Sequence, residues 1–286
     1  MFEKYIEHLR DEGKAENTIN SYISDLKIFF SDNNLSPTSI VTAADIRKWI
    51  QRHLKTDQRM HTTVNRRINS LKGYFTWAYN NKRVITNPMN DIGIVKVADE
   101  ESESIQWLTE SEFEDLLKRM RDAPDVKGWD PELRYRRDRI AVYILTYLGL
   151  RVSELSNLKV NDIDMALRKV RIIGKGSVVR TLPINNLLYQ ELRDWLHYRS
   201  KMCEFRKDLG SGYLLFSQKS DRVSDRGIQR ILERYDTDER QLHPHIFRHT
   251  FCMWMLKANN NDIVLVKRLA GHKDIRTTER YLKLAY

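Results

Sequence analysis

At 286 residues, with 41% hydrophobic and 31% charged side chains, the chain can bury one large core or two modest ones and fits a soluble globular protein. No apolar run approaches the ~18–20 residues that span a bilayer, and the opening MFEKYIEHLR mixes acids and bases in an amphipathic pattern unlike a signal peptide. Two distant cysteines, Cys203 and Cys252, argue against a disulfide framework and for a reducing, cytoplasmic compartment, while a net charge of +10 favours polyanionic partners.

In chain order, the N-terminal third reads as helix only. Ile19, Tyr22, Ile23, Leu26, Phe29 and Phe30 recur at helical spacing, with Asn17 or Thr18 as the expected cap. Ile46, Trp49, Ile50 and Leu54 form a second stripe after the cap candidates Thr42 and Asp45, and Val64, Ile68, Leu71, Phe75 and Ala78 form a third. A small four-helix domain over residues 1–92 is expected, its last helix ended by Pro88. Charge is unevenly spread. Residues 1–50 hold six basic and eight acidic side chains, whereas 47–83 hold ten basic ones (Arg47, Lys48, Arg52, Lys55, Arg59, Arg66, Arg67, Lys72, Lys82, Arg83) against Asp57 alone. A solvated face is the ordinary explanation of such a run. Its single sign, and the interleaved Trp49, Tyr74, Phe75, Trp77 and Tyr79, point instead to a phosphate-contacting surface.

Residues 93–106 have an acidic centre and read as an exposed linker. A second domain, 107–286, opens on Thr109 and Glu112 at capping-box spacing. Ile140, Ile144, Leu145 and Leu148 mark a helix stopped by Gly149. KVRII, GKG and SVVRTLPI read as strand, tight turn and strand over 169–184, followed by helical patterns near 185–201, 224–235, 245–258 and 262–270. A small antiparallel sheet edged by helices makes this domain α+β.

A Gly-rich phosphate loop, a GxSxG elbow and an HExxH helix are all absent from the sequence, and no acids cluster as a two-metal site. What is concentrated is cationic. Arg151 follows Gly149 in LGLRVSEL; Lys175 sits in GKG; His245 and Arg248 lie three apart in HPHIFRHTF; and LAGHKDIRTTERYL carries His272 and Tyr281. Singly each has an ordinary role: an arginine paired with a carboxylate, a satisfied histidine, a solvated turn lysine.

Together, in this order, these four motifs resemble the tyrosine recombinase (phage integrase) family, and ENTINSYISDLKIFF resembles its SAM-like core-binding domain. The resemblance implies a mostly α N-terminal domain followed by an α+β catalytic domain. It also implies site-specific cutting and rejoining of double-stranded DNA, with no metal or nucleotide cofactor. Tyr281 would attack a phosphodiester, leaving a 3′-phosphotyrosyl link that conserves the bond energy for rejoining. Arg151 and Arg248 would hold the non-bridging oxygens, since planar forks that stay charged suit a pentacoordinate transition state. His245 would accept the phenol proton, His272 would donate to a phosphate oxygen, and Lys175 would protonate the leaving 5′-oxygen. Glu154, three residues after Arg151, would orient the site.

His249 is expected to be structural, His243 a loop residue, and Lys169 and Arg180 contacts to backbone phosphate; Tyr286 lies outside the motif. Arg47, Lys48, Arg52, Arg66, Arg67 and Lys72 would form one jaw of a DNA clamp, and Arg226, Arg230 and Arg234 the other. The chain opens directly on the core-binding pattern, which implies simple inverted-repeat sites like those of Xer proteins or transposon resolvases. A homo-tetrameric synapse forming from monomers or weak oligomers is expected, although only five residues follow Tyr281. Two rival functions share some of these features: a type IB topoisomerase-like relaxase, which would also form phosphotyrosine but not recombinants, and a DNA-binding regulator with no catalysis.

Overall fold

The apolar stripes become the buried faces of helices. A computed structural model describes residues 2–57, 61–95, 105–125, 130–174, 178–206, 209–210 and 212–285, which fall into two compact units, Met1–Ser104 and Ile105–Tyr286. Arg59, Lys175 and Tyr286, and most of the 93–106 bridge, lie outside the described residues.

In the first unit, α1 (Phe2–Asp11), α2 (Glu16–Asp32), α3 (Ala43–Lys55) and α4 (His61–Asn80) enclose one core. Ile19, Leu26 and Phe29 of α2 meet Ile46 and Trp49 of α3 and Val64, Leu71 and Phe75 of α4, all buried. The cap of α2 is Ala15, not Asn17 or Thr18: both lie inside the helix, which begins at Glu16. Thr42 and Asp45 do close a reciprocal capping box on α3. Pro88 does not end α4; the helix stops at Asn80, where left-handed Lys82 (φ 53°) lets Arg83 N donate back to Ala78 O at 2.7 Å. The packing runs on to Val95, whose backbone exchanges two hydrogen bonds with the Asn65 side chain.

In the second unit, α6 (Pro131–Leu148) is the central post, contacted by α5 (Glu110–Asp122), α7 (Val152–Asn157), α8 (Asn186–Phe205), α9 (Asp225–Glu233) and α10 (Pro244–Ala258). Buried on every side, it carries charge that must be satisfied internally. Asp138 takes Arg137 at 2.6 Å, the Tyr235 hydroxyl at 2.9 Å, and Arg234. Strands β1 (Ile163–Asp164), β2 (Lys169–Ile173) and β3 (Val179–Pro183) form an antiparallel sheet in that order, with Ile172 opposite Arg180 and Val170 opposite Leu182. Two further helices, α11 (Ile263–Ala270) and α12 (Arg276–Ala285), pack on α10. The stop at Gly149 is a left-handed cap (φ 58°), and a side chain there would also collide with the Phe251 ring.

Candidate active site

Gly149 turns the chain off α6 so that Arg151 becomes the N-cap of α7. Its backbone N–H and its Nη1 both donate to Glu154, at 2.9 and 3.1 Å. Glu154 is buried and has a second cationic partner: Arg180 donates to its two oxygens from Nη1 and Nη2 at 2.9 and 2.8 Å. Burial works to raise the Glu154 pKa, but the bonds from Arg180 and Arg151 outweigh it and hold the carboxyl below its ordinary value.

The C-terminal end of α11 closes the arrangement. Gly271 adopts the left-handed conformation (φ 69°), and the N–H groups of Gly271 and His272 return to Lys267 O. Arg268 O takes the Gly271 N–H as well, and each of the next three carbonyls takes an arginine instead of a helical donor. Arg180 Nε donates to Leu269 O at 3.1 Å, Arg248 Nη2 to Ala270 O at 2.6 Å, and Arg151 Nη2 to Gly271 O at 3.1 Å. Arg248 also donates from Nη1 to Gly149 O at 2.6 Å. The negative end of a helix dipole thus faces three guanidinium groups that would otherwise repel one another. Arg248 is 5% exposed; burial, then Arg151, lowers its pKa, yet an arginine stays charged from so high a starting point. The Arg151 side chain, at 40%, is the open one.

His245 stands one turn before Arg248 on α10, and burial, with His243, Arg248 and Arg151 nearby, lowers its pKa. His272 is buried and held near a pKa of about 4 by burial, Arg248 and Arg151; its Nδ1 shares a 2.9 Å hydrogen bond with the buried Thr278 hydroxyl. Tyr281 of α12 stacks parallel to His272 at 6.4 Å and is only 4% exposed. It shares a buried cluster with Cys252, and burial, followed by Cys252, raises its pKa. Both cysteines are free, and burial pushes the Cys252 thiol up to about 11.

The structure therefore gathers Arg151, Glu154, Arg248, His245, His272 and Tyr281 onto neighbouring elements of one unit. Lys175 lies outside the described residues; the hairpin neck beside it is closed by Gly174 N donating to Val178 O at 2.8 Å. A Cβ on Gly174 would stand 3.6 Å from both Arg180 Nη1 and Glu154 Oε1. One sequence expectation here needs correction. Arg180 does not face solvent: its side chain is 13% exposed because strand alternation puts it on the inward face with Leu182. His249 lies next to the tyrosine: its ring meets Tyr281 edge-on at 5.7 Å while Nδ1 donates to Gln106 O, and burial brings its pKa to about 4. His243 is the extended residue just before the first turn of α10, outside the helix.

The basic surface also changes. Trp49, Tyr74, Phe75 and Trp77 are core residues, leaving Tyr79, 51% exposed, as the one exposed aromatic of that set. Arg67 is buried beside His53 and Asp25, and so is withdrawn from any phosphate role. Arg66 pairs with Asp25 at 2.6 Å and Arg52 with Asp32 O at 2.9 Å, though both remain at the surface. Arg47, Lys48 and Lys72 face solvent. On α9, Arg230 is exposed and Arg226 pairs with Glu233 at 2.6 Å; just past the end of that helix, Arg234 pairs with Asp138. Among the described residues no set of His, Cys, Asp or Glu side chains is grouped to hold a metal, and no helix is long and apolar enough to cross a membrane.

Two arginines held at the end of α11 thus lie beside a buried tyrosine, in a unit built of a small sheet and surrounding helices. Residues 106–286 match the phage integrase family and residues 2–82 its N-terminal SAM-like domain. The chain belongs to the phage integrase family and is a site-specific tyrosine recombinase of the Xer-like kind. Tyrosine recombinase XerC of Staphylococcus epidermidis is 30% identical over 93% of this chain and 86% of its own length. XerC of Roseiflexus castenholzii is also 30% identical, over 99% and 88%. The fold is shared with XerH site-specific recombinase bound to palindromic difH substrate (TM-score 0.74, 18% identity, 99% of this chain and 80% of that one). It is shared too with the Tn1549 transposon integrase in complex with a circular intermediate DNA (TM-score 0.71, 24% identity, 98% and 93%).

Proposed function

We propose that this recombinase cleaves and rejoins double-stranded DNA with Tyr281 as nucleophile, through a 3′-phosphotyrosyl intermediate, at paired inverted-repeat sites. The observation that carries the reading is the convergence of Arg151 and Arg248 on the end of α11, next to His272 and Tyr281. Each guanidinium spends two of its five N–H donors on protein carbonyls or on Glu154, leaving others for phosphate oxygens. A hydrogen bond from the Thr278 hydroxyl to Nδ1 leaves the His272 proton on Nε2, where it can be given to a phosphate oxygen. His245, kept neutral by its lowered pKa, accepts the phenol proton. Lys175, two residues beyond Ile173 of β2, supplies the proton to the 5′-oxygen.

The exposed Arg47, Lys48, Arg52 and Lys72 of the first unit and Arg230 of the second contact the DNA backbone. Affinity then falls ~10³-fold or more over a fourfold rise in salt if about six phosphates are neutralised. Synapsis is by a homo-tetramer in the cytoplasm. The test is trapping on a nicked suicide substrate: wild-type protein yields a covalent adduct mapped to Tyr281, and Tyr281→Phe binds DNA without one. Recombinants between two sites separate exchange from simple relaxation; an adduct on another residue, or none, refutes the assignment.

A further inference from the structure

We infer that Arg180, outside the set of groups assigned to phosphate, is a positioning residue for DNA cleavage, acting through Glu154 on Arg151 and through Leu269 on the end of α11. This rests on the site proposed above. The guanidinium of Arg180 joins three elements at once: it rises from β3, fills both oxygens of Glu154 at the start of α7, and donates its Nε to Leu269 O at the end of α11. A lysine has no planar fork to make these bonds together.

The consequence for Arg151 follows from counting acceptors. Glu154 is a buried carboxylate whose oxygens must be satisfied. With Arg180 bonded to both oxygens, Arg151 gives its Nη1 to one of them and its Nη2 to Gly271 O, and its side chain stays partly exposed. Without Arg180, the second oxygen of Glu154 has only the Arg151 backbone N–H, and the nearest mobile cation is Arg151 itself. Its guanidinium is then drawn down onto Glu154 and away from phosphate. The end of α11 loosens as well, because Leu269 O, two carbonyls before Gly271 O, loses its donor just ahead of His272.

Gly271 reports the same fit from the other side. Besides its left-handed φ of 69°, a Cβ there would lie 3.1 Å from Arg180 Nη1 and 3.2 Å from its Cζ, so the glycine admits the guanidinium against the helix end. Arg180 also anchors the hairpin neck, since it is in register with Ile172 and lies two residues past Val178, the partner of Gly174.

The experiment uses the full-length protein and compares DNA Kd with the single-turnover rate of adduct formation for wild type, Arg180→Lys, Arg180→Met, Glu154→Gln and Arg180→Met/Glu154→Gln. A positioning role predicts Kd within about threefold of wild type and cleavage slowed ~10–100-fold in Arg180→Met, the scale of a misplaced catalytic group. Arg180→Lys should be slowed as well, and the double variant should be no slower than the slower single one, because both act on one network. Should Arg180→Met alone fail to fold, the double variant, whose carboxamide needs no cation, carries the same comparison. Full-rate cleavage by either folded variant, while wild type forms its adduct at Tyr281, overturns this inference alone. A Kd that weakens in step with the rate, with the salt slope reduced by about one, also overturns it, since Arg180 would then be a phosphate contact. Absence of a wild-type Tyr281 adduct overturns the site itself, and this inference with it.

Discussion

Gly149→Ala places a methyl group where the structure has no room for it. The residue sits at φ 58°, and an ideal Cβ would lie 2.3 Å from Phe251 Cδ1 and 2.6 Å from Cγ. Left-handed backbone costs an alanine ~1–2 kcal/mol. Overpacking against a ring whose Cγ is fixed to α10 adds ~1–3 kcal/mol. The total, ~2–5 kcal/mol, corresponds to roughly 5–15 °C in the unfolding midpoint of a unit this size. Calorimetry of the full chain, following the transition of the second unit, measures it. Phe251→Ala separates the two contributions: in that background the collision is gone, and adding Gly149→Ala should cost only the backbone term of ~1–2 kcal/mol. An equal cost in both backgrounds would refute the collision with Phe251. Cleavage should fall in Gly149→Ala too, because Gly149 O holds Arg248 Nη1 at 2.6 Å.

Acidification offers a second test. The pKa values of His245, His249 and His272 are all lowered in the fold, the last two to about 4. Below the ordinary histidine value of ~6.5 the unfolded chain takes up protons that the folded one refuses, so stability is lost as pH falls from there toward 4. Urea titrations at several pH values should show it; stability flat over that window would contradict the lowered values of these rings. Arg248→Lys, which cannot span Gly149 O and Ala270 O as a fork, should slow adduct formation by ~10²-fold or more with Kd changed only a few-fold. Lys175→Ala should slow cleavage of ordinary DNA far more than of DNA with a 5′-bridging phosphorothiolate, whose leaving group needs no proton; equal slowing would remove Lys175 from the acid role.

Much of this was legible residue by residue. The stripes Ile19–Phe30 and Val64–Ala78, the boxes at Thr42 and Thr109, the stop at Gly149 and the hairpin around 169–184 are local signals, set by neighbours within a turn or a strand pair. The same local logic misled where a longer-range partner decided the outcome. Asn17 and Thr18 have capping chemistry, but the helix begins one turn too early for them. The aromatics of 47–83 were read with the cations as one phosphate-contacting surface because one-dimensional charge counts cannot tell the outer faces of α3 and α4 from the inner ones. Arg180 carried a readable clue: two residues before the inward Leu182, it shares the inward face of β3.

The chain's sequence alone determined the helices, the hairpin, the order of the four motifs and the identity of the groups able to meet a phosphate, because spacing and side-chain chemistry are properties of short segments. Only the tertiary structure decided which cations stay open and which are consumed. Arg151 keeps a side chain 40% exposed while Arg180 and Arg67 turn inward, and Tyr281 is buried in one cluster with Cys252. The reason is that a buried guanidinium goes wherever an unpaired carboxylate or helix-end carbonyl awaits it, and those acceptors come from segments distant in the chain: Glu154 for Arg180 and Asp25 for Arg67.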